Sequence, residues 1–184
     1  MLSYRGGTVM PNIVNVVTKY DQVAFHWCVS RSSYGEIAAA SKWISKIGDG
    51  YLYVIIGLLL SLIEKQYGAQ FALTLLLAFA IELPTYLVCK NTVKRNRPAD
   101  VIDGFNSLLK PSDKFSFPSG HTAAAFLFAS IIAIYYPEFA GLAYTLAFLI
   151  GCSRVLLGVH FPTDILAGMA LGLISAELAL WLTV

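Results

Sequence analysis

FPSGHTAAAF, residues 117–126, opens as a polar turn and runs on into small and apolar residues that read as a buried or membrane helix. Pro118 can sit at or just before the helix start. Ser119 and Gly120 then leave first-turn N–H groups unpaired, where the helix dipole also favours an anion. His121 stands beside whatever anion binds there, with a ring that titrates near neutral pH. Taken alone, the stretch also fits a helix cap with an incidental histidine.

Composition decides what surrounds that helix. The 184 residues are 57% hydrophobic and 13% charged, with a mean hydropathy of +0.67, where a soluble domain carries about a quarter charged residues. The chain is therefore expected to be an all-α, polytopic transmembrane helix bundle. Five apolar stretches, near 49–65, 69–89, 119–136, 139–157 and 163–183, approach the roughly 17–25 helical residues that cross a hydrocarbon core of about 30 Å. Period-2 alternation is absent, and lipid-exposed backbone must bond within its own segment, so helices are expected throughout. Residues 1–48 differ: Arg31, Glu36, Lys42 and Lys46 interrupt the apolar pattern. An Arg at mid-bilayer costs at least about 2.5 kcal/mol. Interfacial N-terminal helices are expected there, with Trp27 and Trp43 at headgroup level; a sixth span is the alternative.

No linker, repeat or low-complexity tract divides the chain, so residues 1–184 are expected to form one domain. A net charge of +2 is too small to suggest nucleic acid, and the cations cluster in one loop, as for a small anionic partner. Cys28, Cys89 and Cys152 are odd in number and far apart, which suits packing rather than disulfides or a CxxC metal site. The N-terminus lacks the uninterrupted apolar core of a signal peptide, so insertion is expected from the internal spans.

Two further stretches accompany the first. In KNTVKRNRP, residues 90–98, Lys90 ends the second span and Arg97 precedes Pro98, which biases it towards an extended backbone. Two cations can then converge on phosphate oxygens, Arg through bidentate bonds and Lys as a point charge. A juxtamembrane loop attracted to lipid headgroups explains this stretch equally well. In SRVLLGVHFPTD, residues 153–164, Arg154 closes the fourth span and His160 and Asp164 lie four apart around Pro162. A helical turn there lets Asp164 accept a hydrogen bond from one ring nitrogen of His160, leaving the other as a nucleophile. Two histidines and an acid among Lys and Arg are a poor metal site, and no metal or cofactor is expected. With five spans, the 90–118 and 155–163 loops emerge on one membrane face.

Together, Lys90-x6-Arg97-Pro98, Pro118-Ser119-Gly120-His121 and Ser153-Arg154-x5-His160-x3-Asp164 resemble the three-part signature of the type 2 phosphatidic acid phosphatase superfamily, in order and spacing. The resemblance implies a metal-independent lipid phosphatase acting through a phosphohistidine. His160 is implied as the nucleophile, Asp164 as its orienter and His121 as the general acid. Lys90, Arg97, Ser119, Gly120 and Arg154 are implied to hold the phosphoryl oxygens. Undecaprenyl diphosphate, phosphatidylglycerophosphate and phosphatidate are candidate substrates. A lipid phosphotransferase and a non-enzymatic anion-binding scaffold or transporter are the alternatives; vanadate-dependent haloperoxidases share the anion site but are soluble.

Other residues carry weaker expectations. Glu82, about 12 Å of helix rise from Lys90, is expected to make an interhelical hydrogen bond or a substrate-tail contact, and the role of Glu177 is open. Asp49 is expected to cap the first span. GMALG, residues 168–172, has GxxxG spacing that suits either a helix contact or dimerisation. Lys65 is the only basic residue on the face opposite the site, so positive-inside counting puts the site in the cytoplasm. The cations assigned to phosphate should be discounted, however. Bacterial members of the family, by resemblance, carry the site on the outer face of the cytoplasmic membrane, and that sidedness is expected here.

Overall fold

The computed structural model describes residues 12–32, 35–111 and 113–184, with only the backbone of residues 12–17, 31 and 32. The interfacial reading of residues 1–11 and of the Arg31 side chain lies outside the described residues. The chain is all-helical: α1 (Asn12–Ser32), α2 (Gly35–Ile47), α3 (Tyr51–Ile63), α4 (Gly68–Val93), the single turn α5 (Pro98–Val101), α6 (Gly120–Tyr135), α7 (Ala140–Leu156) and α8 (Pro162–Thr183).

Each apolar stretch becomes a helix, but their lengths differ. Among the described residues, α4, α7 with the 3-10 turn before it, and α8 are long and apolar enough to cross a bilayer alone. The 13 residues of α3 rise only about 20 Å. Joined to α2 across a 44° bend, α3 has the length and composition of one span. The 16-residue α6 is also short, and it sits in the middle. Leu127 and Ile131 pack with Phe71 and Leu75 of α4 and with Ala176 and Ala179 of α8, while Ala125 and Ala129 meet Tyr53 of α3 and Ala147 and Ile150 of α7. Neighbouring helices thus satisfy the apolar surface of α6, and large apolar side chains such as Leu62, Leu76, Phe148 and Trp181 stay exposed on the outer helices. Exposed apolar flanks around a buried helix-packing core are what an integral membrane protein presents to lipid.

Close approach of α6 and α8 depends on the two glycines of GMALG. A Cβ on Gly168 would stand 2.4 Å from the Ser119 carbonyl oxygen, and one on Gly172 would stand 2.2 Å from that of Ala123. The GxxxG spacing therefore serves an internal contact. At one end of the bundle, the Glu64 carboxylate ties the α3–α4 turn by accepting from the N–H groups of Gln66 (2.7 Å) and Tyr67 (2.6 Å). Those bonds hold the Glu64 carboxyl below its ordinary range. The candidate site lies at the other end.

Candidate active site

Three local devices build this end. The α4 helix stops at Lys94, which is left-handed at φ 50°, and the turn delivers Arg95 and Arg97 towards the bundle. Arg97 is extended, as Pro98 demands, and caps α5. Ser119 caps α6: its Oγ accepts from Thr122 N at 3.4 Å and pairs with Thr122 Oγ1 at 2.9 Å. Pro162 starts α8, and Asp164 Oδ2 accepts from Phe161 N at 2.8 Å to close its first turn. The loops then lock together, with Ser119 N donating to Asp164 O at 3.0 Å and Leu108 N to Leu157 O at 2.9 Å. All three quoted stretches meet.

Several expected contacts differ in detail. The Ser119 N–H, expected to be free for an anion, is used by Asp164 O. The expected His160–Asp164 hydrogen bond is not formed: Nδ1 lies 3.7 Å from Asp164 Oδ2, beyond hydrogen-bond reach, and this buried nitrogen has no hydrogen-bond partner. The reason is competition, because Asp164 gives Oδ2 to Phe161 N and Oδ1 to Arg95 Nη1 at 2.8 Å. Asp49 does not cap α3. The cap is Gly50, which makes no side-chain bond, and Asp49 Oδ1 instead meets His121 Nε2 at 2.9 Å. Glu82 is buried at 2% exposure and faces a cavity, and it makes no interhelical hydrogen bond among the described residues. Glu177 is exposed on α8.

Lys90 and Arg97 converge, and what they converge on is Asp113. Lys90 Nζ bonds to Asp113 Oδ2 and to Tyr86 OH, while Arg97 Nη2 bonds to Asp113 Oδ1. Arg97 also donates through Nη1 to Val159 O (2.6 Å) and through Nε to Asp113 O (3.1 Å). Arg154 donates to Ser45 Oγ at 2.6 Å, and its buried Nε has no partner. Gly120 lets α6 approach Tyr86, since a Cβ there would meet the ring at 3.1 Å. Behind this layer, Arg95 joins Asp21 of α1, Thr163 and Asp164 into one network. The Asp21 and Asp164 side chains are both 0% exposed.

The electrostatics follow from burial and neighbours. His160 is 2% exposed; burial, helped by Arg97 and Arg154, outweighs nearby Asp164 and lowers its pKa to about 4. Its imidazole is therefore neutral at physiological pH and carries a lone pair. Burial alone would raise the Asp113 carboxyl, but the bonds and charges of Lys90, Tyr86 and Arg97 win and lower it to about 2. A cavity of about 870 Å³ between α3, α4 and α6 ends at this layer. Leu58, Leu73, Leu76 and Phe79 line its apolar length, and Asp49, Tyr86, Asp113 and His121 its polar end.

Asp21, Ser45, Asp49, Tyr86, Arg95 and Asp113 were not anticipated in these roles. Arg95 alone carried a signal, as a third cation within the basic loop. Tyr86 lies one turn before Lys90 on α4 and bonds it there, and the rest reach the site through contacts distant in sequence that no local pattern encodes.

Comparison with known proteins bears on the family and the fold. Undecaprenyl-diphosphatase of Sulfolobus acidocaldarius is 29% identical over 145 residues, covering 76% of this chain and 69% of that protein. Phosphatidylglycerophosphatase B of Bacillus subtilis is 35% identical over 134 residues, 67% of this chain and 62% of that one. The bacitracin transport permease protein BcrC of Bacillus licheniformis is 35% identical over 85 residues, with 42% of its length spanned. Among solved structures, LpxE of Aquifex aeolicus superposes with a TM-score of 0.78 at 27% identity, covering 87% of this chain and 94% of that one. The transmembrane PAP2-type phosphatidylglycerolphosphate phosphatase of Bacillus subtilis superposes with a TM-score of 0.74 at 29% identity, covering 91% and 86%. The PAP2 superfamily profile matches residues 69–184, well over half the chain and including all three motifs, so this membrane protein belongs to the PAP2 superfamily.

Proposed function

We propose that the chain is a single-domain, integral-membrane lipid phosphatase that hydrolyses a terminal phosphate ester or anhydride of a lipid through a phosphohistidine. The observation that carries this reading is the meeting of neutral His160 with Arg97 and Arg154, with Lys90 joined to Arg97 through Asp113, beside the polar end of an apolar cavity. The lipid tail lies in the cavity and its phosphate enters past His121. His160 Nε2 attacks phosphorus, since Nδ1 faces Asp164. Lys90, Arg97, Arg154 and the Ser119–Gly120 helix start hold the negative charge that develops on the equatorial oxygens. His121, hydrogen-bonded to Asp49, gives its proton to the leaving oxygen, and then takes one from the water that cleaves the phosphorus–nitrogen bond.

The relatives' names support terminal lipid phosphates as the substrate class, with undecaprenyl diphosphate and phosphatidylglycerophosphate as the first to try. Phosphatidate belongs in the same panel. The site end is proposed to face the exterior of a bacterial cytoplasmic membrane, which cysteine accessibility across residues 90–118 in intact cells would test. Activity is tested by phosphate release from a lipid phosphate panel in detergent with EDTA, using His160→Ala as control. Metal-independent release that vanishes in the variant is expected. Release that requires added acceptor would indicate a phosphotransferase, and release that persists in His160→Ala would refute the mechanism.

A further inference from the structure

Asp113 lies on the loop between α5 and α6 and belongs to none of the three motifs. Each of its carboxylate oxygens takes one cation, Lys90 on Oδ2 and Arg97 on Oδ1. Tyr86 OH donates to Oδ2 at 2.7 Å. The two cations are nearly buried, at 7% and 6% side-chain exposure, whereas Asp113 is 36% exposed. One solvent-facing carboxylate therefore caps two buried cations, at the cavity end that also holds His121. Two anionic oxygens on one trigonal carbon are a close stand-in for two oxygens of a phosphoryl group, because the same Lys and Arg donors serve both.

We infer that Asp113 is the resting occupant of the phosphoryl subsite, and that it sets a charge threshold on the lipid that can enter. This rests on the phosphatase reading for the roles of Lys90 and Arg97. An incoming anion must displace a carboxylate from both cations. A singly charged phosphodiester exchanges one negative charge for another and gains little. A terminal phosphate, carrying about −1.5 to −2 at pH 7, gains the extra Coulombic attraction of two poorly solvated cations. The threshold admits lipids with a terminal phosphate and turns away phosphodiester lipids, which a bilayer supplies in large excess. Asp113 is thus a specificity-determining residue that is displaced rather than consumed.

The test measures binding of orthophosphate and of dimethyl phosphate, a soluble singly charged diester, to detergent-purified wild type and Asp113→Asn. Asparagine keeps the shape and an acceptor oxygen but removes the competing charge. Orthophosphate is expected to bind the variant about 10-fold tighter, and dimethyl phosphate, excluded from wild type, is expected to bind measurably. An unchanged or weaker orthophosphate affinity in the variant would overturn the inference, showing that Asp113 holds the two cations in place for the substrate. Should Asp113→Asn fail to fold, hydrogen exchange on wild type decides: orthophosphate should speed exchange in residues 105–116 as Asp113 is released, and protection or no change would refute release. Normal lipid hydrolysis with a weaker-binding variant sinks this inference alone. Phosphate binding without hydrolysis of any lipid phosphate sinks the phosphatase reading, and absence of phosphate binding in both proteins overturns both.

Discussion

Replacing Arg95 by Gln should destabilise the protein and slow it by separable routes. Arg95 is 20% exposed and bridges two carboxylates, Asp21 and Asp164, each 0% exposed. Removing the cation leaves two buried negative charges with fewer partners. Breaking a buried pair in this way costs about 3–5 kcal/mol, and Thr163, which bonds both Arg95 and Asp21, can recover about 1 kcal/mol of that. A net loss of about 3 kcal/mol corresponds to a fall of roughly 6–12 °C in Tm for a chain of this size. Asp21→Asn in the Arg95→Gln background should return part of the loss, because it removes one of the stranded charges. Activity should respond in kcat more than in KM, since Asp164, once freed, no longer holds a fixed position opposite His160. Thermal unfolding and steady-state kinetics of the two single variants and the double variant form the assay. Additive Tm shifts, or a single variant within 1 °C of wild type with normal kcat, would refute the clamp.

Other consequences are separately measurable. His160 must be neutral to attack and its pKa is lowered to about 4, so kcat/KM should hold its nucleophile-dependent plateau down to about pH 4 and fall below it; an acid limb near 6.5 with a substrate of constant charge would show that burial does not act as described. The same shift means that the unfolded chain takes a proton at His160 below about pH 6.5 that the folded chain refuses until about 4, so stability should drop as pH is lowered from about 6.5 to about 4, and less so in His160→Ala. Asp49→Asn should weaken the partner that holds His121 and lower kcat about 10-fold on lipid phosphates, with a smaller effect on an aryl phosphate whose leaving group needs no proton; equal effects would separate Asp49 from proton transfer. Gly172→Leu drives a side chain into the Ala123 carbonyl and should cost at least about 3 kcal/mol, read as lost thermal stability at unchanged oligomeric state; a stable variant of altered oligomeric state would restore the dimerisation reading of GMALG.

The sequence carried the motif chemistry further than it carried the geometry. Lys90, Arg97, His121, Arg154, His160 and Asp164, which the fold gathers at one end, were legible because the proposed phosphoryl site calls for those residue types, and because helix ends and prolines mark where the loops turn. Their partners were not. Asp21 reaches the site from α1 and Asp49 from the turn between α2 and α3, both ahead of the first motif; an aspartate in an amphipathic stretch looks like any solvated charge, and one just before an apolar run looks like a helix cap. Span count was only partly legible for a related reason. Hydropathy counts apolar residues, but α3 and α6 are apolar and short, one completed by α2 and the other enclosed by its neighbours. The His160–Asp164 spacing of four residues correctly implied proximity, yet could not show that Arg95 and the first turn of α8 compete for the same carboxylate.

The central claim is a covalent bond between His160 and the substrate's phosphorus. Wild-type protein turning over a lipid labelled in its terminal phosphate should be quenched within one turnover, digested at alkaline pH, where phosphohistidine survives, and mapped by mass spectrometry. The account expects acid-labile label on the peptide that contains His160, absent from His160→Ala. Label on another residue, or full turnover with no label on His160, would contradict it.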